Sequence, residues 1–165
     1  MSSKFEELTE VIFKQITPKL ENNSGLAIFA KERAKFEGWL KVELCETLSK
    51  HFQTIVPEKD RIDITFDDWA IELKTVTTNY RYENVDNNTI QPITEEIDDV
   101  INDIENLAEK NYINKAILFV VFPVTHDHKD WKTHLNRICK LLKEKKYREF
   151  KFKNKVPGVI YFGSI

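Results

Sequence analysis

The segment that most constrains this fold runs from Arg61 to Lys74 and reads RIDITFDDWAIELK. Polar and apolar residues alternate on both sides of the pair Asp67-Asp68, which are turn-forming residues. Two alternating runs joined by two such residues predict an antiparallel β-hairpin over 61–75. In that hairpin Phe66 faces Trp69 across the turn.

The predicted hairpin has an apolar and a polar face, because side chains alternate along a strand with a period of two. The apolar face carries Ile62, Ile64, Phe66, Trp69, Ile71 and Leu73. The polar face carries Arg61, Asp63, Thr65, Ala70, Glu72 and Lys74. Asp63 then lies opposite Glu72, with Cβ atoms about 4.5–5.5 Å apart. Two carboxylates repel at this distance, and a divalent cation such as Mg²⁺ removes the repulsion because it prefers carboxylate ligands.

Helices and strands alternate around this hairpin in the predicted order. Apolar residues recur at helical spacing in several segments, whereas 116–122 is a continuous apolar run, as in a strand buried on both faces. The predicted helices are 5–16 (ended by Pro18), 30–50, one capped by Thr94, and 130–143; the other strands are 52–56, 148–153 and 159–162. This order predicts an α/β fold, a mixed central sheet flanked by helices, in a single domain over residues 1–165.

Size and composition are those of a soluble protein with one core. The chain has 165 residues, and its longest apolar run is far too short to span a bilayer. No charged-then-apolar signal segment opens the chain, so the expected location is cytoplasmic, without a membrane partner. Cys45 and Cys139 lack a metal-type spacing and are predicted to be reduced thiols in or near the core.

The formal net charge of −2 conceals an uneven distribution. Residues 83–106 contain acids but neither Lys nor Arg, whereas 129–155 is strongly basic. This asymmetry has two interpretations, a surface that faces phosphates or simply a solvated helix and strand. The candidate nucleic-acid contacts are Tyr80 and Arg81 in an aromatic loop, and Lys145, Lys146 and Arg148 in the basic segment.

Asp63, Glu72 and Lys74 together have the chemistry that phosphodiester hydrolysis needs. Divalent cations held by carboxylates assist the attack of water and the departure of the leaving oxygen. A nearby lysine stabilises developing charge or helps to activate the water. Lys74 lies two residues beyond Glu72 and therefore returns to the same face of the strand.

With Asp63 on one strand and Glu72-Leu73-Lys74 on the next, the chain resembles the PD-(D/E)xK nuclease superfamily over residues 30–123. Ile62 stands where the proline that gives the motif its name would be. The resemblance implies a restriction-endonuclease-like core and hydrolysis of DNA with Mg²⁺ or Mn²⁺. It also implies that Asp63 and Glu72 are metal ligands and that Lys74 is the catalytic lysine.

The family often adds a glutamate from the first core helix as a further ligand, and Glu37 and Glu43 are both candidates here. A helical wheel places Glu43 toward the sheet, between apolar neighbours. Glu37 lies at the edge of that face but nearer the helix start, where the family residue usually lies. Glu37 is therefore the slightly favoured candidate, and Glu43 is kept.

Other features leave alternative functions open. Glu144-Lys145-Lys146, predicted at a helix end, and Glu149-Phe150-Lys151 also fit Glu-x-Lys, but no aspartate is predicted opposite either. His126 and His128 lack a third ligand and are interpreted as exposed loop residues. The alternatives to a nuclease are a binding module on a nuclease-like fold and an interaction protein with a purely structural charge ladder. A homodimer or a partner subunit is possible in each case.

Overall fold

A computed structural model describes residues 2–88 and 90–165 of the chain. It contains a six-stranded sheet with the strand order β1-β2-β3-β4-β6-β5. The helices are α1 (Lys4–Asn22), α2 (Ser24–Lys31), α3 (Glu37–Ser49), α4 (Ile93–Ala108) and α5 (Lys129–Cys139). The strands are β1 (Val56–Pro57), β2 (Ile64–Phe66), β3 (Trp69–Thr77), β4 (Asn114–Phe122), β5 (Glu144–Lys151) and β6 (Pro157–Ser164).

The sheet is mixed, as predicted for an α/β fold. β3 runs parallel to β4, and the other neighbouring pairs are antiparallel. Helix α4 connects the two parallel strands, as a crossover between parallel strands requires. The hairpin register is the predicted one from Ile64 opposite Ile71 to Phe66 opposite Trp69, but β2 begins only at Ile64, so Asp63 precedes the strand and is not paired with Glu72 in the ladder.

Helices cover both faces of the sheet, so the central strand β4 is apolar on both sides. Its side chains at Leu118, Val120 and Phe122 join a cluster that includes residues of α1 and α3. The side chains at Ile117, Phe119 and Val121 join a second cluster with α4 and α5. This arrangement explains why the run 116–122 is continuously apolar rather than alternating.

Burial of apolar side chains extends α1 beyond its predicted end. Pro18 lies inside this helix rather than after it. Proline removes one helical hydrogen bond, but Leu20 beyond it is completely buried in the core. The side-chain amide of Asn22 also donates to the backbone carbonyl of Pro18, with 2.7 Å between Nδ2 and the oxygen. These contacts stabilise the last turn despite the proline.

The predicted helix 30–50 is instead two helices, because Arg33 adopts a left-handed backbone conformation with a φ of 55°. Its buried guanidinium donates to the carbonyl oxygens of Thr78, Tyr80 and Asp86. Those partners lie about fifty residues along the chain, so the pattern around Arg33 gave no indication of the break. The break places Glu37 in the first turn of α3.

Several smaller predictions were also wrong. The segment predicted as strand 52–56 forms regular strand pairing only at Val56–Pro57. Helix α4 begins at Ile93, so the residue at its capping position is Pro92 and not Thr94. Glu144-Lys145-Lys146 lies in β5 and not at a helix end. Ile62 packs against Ala70 and Leu107 and not with the apolar face of the hairpin. The regular alternation of side chains between the two faces ends here because the turn Lys59–Arg61 comes directly before it.

Among the described residues, the helices are either too short or too polar to cross a membrane.

Candidate metal centre

The short strand β2 leaves part of the β3 edge without a strand partner. Pairing between β2 and β3 reaches only Ile71, whereas β3 continues to Thr77. Two carboxylates bind backbone N–H groups along this open edge. Asp63 Oδ2 accepts from the Leu73 nitrogen at 2.8 Å, and Glu37 Oε1 accepts from the Thr75 nitrogen at 3.1 Å. Side chains from two different elements are thereby fixed against the same strand.

Asp63 and Glu72 lie close enough together for each carboxyl group to shift the pKa of the other. Burial, followed by the hydrogen bond and charge of Asp63, raises the pKa of Glu72 to about 9. Burial opposes ionisation of Asp63 as well, but bonds from Glu72, Lys41 and the Leu73 backbone hold its pKa below the ordinary value. At neutral pH the proton therefore resides on Glu72, and the pair carries a single negative charge.

Lys41 contacts this pair from α3 and was not predicted from the sequence. Its Nζ lies 2.6 Å from Asp63 Oδ1, and it also binds Glu58. Burial disfavours the charge of Lys41, but its bonds to Asp63 and Glu58 outweigh burial and raise its pKa. A signal was present, since Lys41 follows Glu37 by four residues and so shares its side of the helix.

Lys74 also has a partner that the sequence did not indicate. Its Nζ lies 3.0 Å from Asp103 Oδ2 on α4. Burial disfavours the Lys74 charge, but the Asp103 bond, the charge of Asp103 and the nearby Glu37 and Asp99 outweigh it and raise the Lys74 pKa. The spacing of Asp99 and Asp103 could have suggested one acidic side of α4, but not which residue lies against it.

Glu37 and Glu43 point in different directions. Glu37 binds the β3 backbone close enough to Lys74 for their charges to interact. Glu43 instead lies 2.5 Å from Lys19 on α1, and Glu46 binds the same lysine at 2.8 Å. The wheel placed Glu43 toward the sheet, and this was wrong because α1 packs along that side of α3. Of the two, the structure brings only Glu37 to the β3 edge.

A buried glutamate at the start of α4 pairs with a partly exposed lysine that precedes α3. Glu96 is 0% exposed, and its Oε2 lies 2.8 Å from Lys35 Nζ. Burial raises the pKa of Glu96, whereas Lys35 acts in the opposite direction. Lys35 precedes Glu37 by two residues, so this pair ties the start of α3 to α4. Glu37 is therefore held at β3 by its bond to the Thr75 nitrogen, while the Lys35–Glu96 pair holds the start of its helix.

The donor set fits a divalent cation with few protein ligands. Across residues 2–88 and 90–165, no three His, Cys, Asp or Glu side chains are grouped closely enough to hold a metal. Mg²⁺ is nevertheless usually held by only one or two carboxylates and keeps several waters. The Asp63–Glu72 pair supplies two carboxylates, and a cation bound between them would relieve the repulsion that helps to raise the pKa of Glu72.

The predicted nucleic-acid contacts do not surround this pair. Tyr80 stacks on His128 with ring centroids 4.0 Å apart, and Arg81 is exposed in the following loop. Lys145, Lys146 and Arg148 lie on β5, three strands from β3, which is about 14 Å across the sheet. The guanidinium of Arg148 lies 5.4 Å above the ring of Phe13 in α1.

The histidines that follow β4 are more enclosed than predicted. His126 stacks on Tyr147, and His128 accepts a hydrogen bond from the Trp131 nitrogen at the start of α5. Both are partly buried rather than exposed. Cys45 and Cys139 are free thiols, each partly buried.

Compared with protein-family models, with curated proteins and with solved structures, the chain matches none.

Proposed function

We propose that the protein is a divalent-metal-dependent nuclease, with DNA as its substrate. The observation that carries this proposal is the Asp63–Glu72 pair, which lies where β2 ends and the edge of β3 becomes open, with Lys74 on the same strand as Glu72. The element order supports a restriction-endonuclease-like core: helix α3, strands β1 to β3, helix α4, and β4 parallel to β3. The choice of DNA rests on the resemblance to PD-(D/E)xK enzymes.

Asp63 and Glu72 are the proposed ligands of Mg²⁺ or Mn²⁺, and Glu37 is the proposed helix residue of the site. The cation, when bound, neutralises phosphate charge and lowers the pKa of a coordinated water. The chain's own contribution is to hold the carboxylates in place. The Leu73 and Thr75 N–H groups fix one oxygen each of Asp63 and Glu37, and Lys41 fixes the other oxygen of Asp63.

Lys74 is proposed to stabilise negative charge on the phosphate rather than to remove a proton from water. Its raised pKa keeps the ammonium group charged at neutral pH, and a charged ammonium is a donor only. Asp103 positions this group and is displaced from it, at least in part, when a phosphate approaches. Removal of Lys74 then costs the stabilisation of the transition state while the fold is preserved.

Cleavage of supercoiled, linear and branched DNA in Mg²⁺, Mn²⁺ or chelator tests the proposal directly. Cutting by the wild type with metal, and its loss in Asp63→Asn and Lys74→Ala, is the expected result. Asp98→Asn is a matched control, because Asp98 is exposed and pairs with Arg137 on α5 rather than with a residue of the site. Cutting that persists in both site variants would show that the assignment is wrong.

A second candidate is a nucleic-acid-binding or protein-interaction module on the same fold, without turnover. The observation in its favour is that both lysines of the site already have carboxylate partners, Lys74 with Asp103 and Lys41 with Asp63. Such pairs also occur in purely structural charge ladders. Metal-independent DNA binding without cutting, unchanged in Asp63→Asn, would favour this candidate over the nuclease.

A further inference from the structure

A separate pocket lies between α5 and the β5–β6 end of the sheet, with a volume of about 400 Å³. Its size is within the range of small-ligand pockets. Phe119, Leu135 and Leu142 give it an apolar lining. Tyr147 on β5 is part of the same lining. It lies opposite Tyr161 on β6, which lies opposite Phe119 on β4, and Phe119 in turn lies beside Lys74 on β3.

An exposed aromatic ring forms one wall of this pocket. Tyr147 is 50% exposed, although its ring stacks on His126 with centroids 3.6 Å apart and planes within 10°. Tyr161 lies behind them, with its centroid 6.1 Å from that of Tyr147. The exposed part of Tyr147 therefore offers a flat surface whose supporting ring is already in place.

Hydrogen bonds fix the supporting ring. The indole N–H of Trp131 donates to the Tyr161 hydroxyl oxygen at 2.8 Å, and that hydroxyl lies 3.0 Å from His126 Nδ1. Burial lowers the pKa of His126, so a neutral ring can accept the Tyr161 proton at Nδ1. The His126 backbone nitrogen also donates to Glu149 Oε1 at 2.8 Å. The His126 ring is thus held by Tyr147 and by the Tyr161 hydroxyl, and its backbone is held by Glu149. It therefore loses little freedom when a ligand stacks beside Tyr147.

The charge around the pocket is positive. The exposed lysines 132 and 145 contribute to its lining, whereas the Lys146 side chain points to the other face of β5, toward α1. Lys132 has an acidic partner, Asp127, at 3.3 Å, but both side chains are largely exposed and this pair is weak. The ammonium of Lys145 lies near enough to Cys139 to act on its thiol. The pocket therefore combines an exposed aromatic ring, apolar side chains and lysines. These features are complementary to a flat heterocycle that carries phosphate.

We propose that this pocket binds a nucleobase with its phosphate, the base beside Tyr147 and the phosphate on Lys145 and Lys132. The ligand is either a mononucleotide or an unpaired base of a nucleic-acid strand. The proposal does not depend on catalysis by the Asp63–Glu72 pair, because the pocket shares no residue with that pair. All measurements below are therefore made in chelator.

Binding is measured with fluorescent AMP and with a short unstructured DNA strand, using inorganic phosphate and the matching duplex as comparisons. Tyr147→Ala should weaken binding at least about fivefold, because a base–aromatic stack is lost. Lys145→Ala should weaken it as well and reduce its salt dependence. Phe29→Ala removes an aromatic ring that is 43% exposed on α2, and Lys151→Ala removes a lysine farther along β5. Neither control variant should change the affinity.

The location is tested through Cys139, which lines the pocket. In a Cys45→Ser background, the ligand should slow modification of Cys139 by maleimide, and Tyr147→Ala should abolish this protection. Protection by both AMP and the strand identifies a nucleotide site, whereas protection by the strand alone identifies an unpaired-base site. The proposal is overturned if neither protects, if phosphate or duplex protects equally well, or if protection persists in Tyr147→Ala.

Discussion

The ammonium of Lys74 and the carboxylate of Asp103 form an ion pair between β3 and α4, with 3.0 Å between Nζ and Oδ2. This pair offsets the burial that disfavours the Lys74 charge. We expect Asp103→Asn to lower the Lys74 pKa and to move the alkaline limit of DNA cutting to lower pH. The pH titration of the Lys74 ¹³Cε resonance measures the first effect. Asp127→Asn, which removes an exposed acid, should leave that titration unchanged.

Glu72→Gln should stabilise the protein at alkaline pH. The folded protein holds a proton on Glu72 up to about pH 9, whereas the unfolded chain releases it near the ordinary value of 4.5. The folded state binds more protons between these values, so the Glu72 contribution to stability is complete below pH 4.5 and is lost as pH rises toward 9. Glutamine is neutral throughout, so the Tm gain of the variant should grow from pH 5 to pH 9. An equal gain at both pH values would contradict the raised pKa of Glu72.

Binding of Mg²⁺ or Mn²⁺ should release about one proton, because the cation replaces the proton on Glu72. Titration calorimetry near pH 7.5, in two buffers with different ionisation enthalpies, measures this number. Metal affinity should also increase as the pH rises toward the Glu72 pKa of about 9. Glu72→Gln should release no proton. Metal binding by the wild type without proton release would place the cation somewhere other than this pair.

The two glutamates of α3 provide a matched comparison. Glu37→Gln keeps an oxygen for the Thr75 N–H but removes the charge beside β3. We expect it to reduce DNA cutting at least about tenfold, as is typical when a group that supports a metal site is lost. Glu43→Gln weakens only the contact with Lys19, so its effect on cutting should stay within about twofold. Similar losses in both variants, measured as initial rates, would contradict the distinction.

The hairpin could be predicted because the residue pattern that specifies it lies within the hairpin segment itself. Alternation with a period of two, interrupted by Asp67-Asp68, determines the register from Ile64–Ile71 to Phe66–Trp69 and thereby brings Asp63 close to Glu72. The continuous run of β4 was predictable for the same reason. Its apolar residues reflect contacts on two faces, and no detail of those contacts was needed.

What the sequence did not indicate depends on contacts between distant segments. Lys41 and Asp103 reach the site from α3 and α4, and charged residues are common on both helices. The direction of Glu43 depends on the position of α1, which a wheel of α3 does not contain. The break at Arg33 likewise depends on carbonyl groups far along the chain.

The open edge of β3 has a practical consequence for experiments. The Leu73 N–H binds Asp63 and the Thr75 N–H binds Glu37, so each amide proton responds mainly to one carboxylate. In an amide NMR spectrum of labelled protein, these two signals act as separate built-in reporters. A titration with metal would show, residue by residue, which carboxylate a cation reaches first, without attaching any probe to the site.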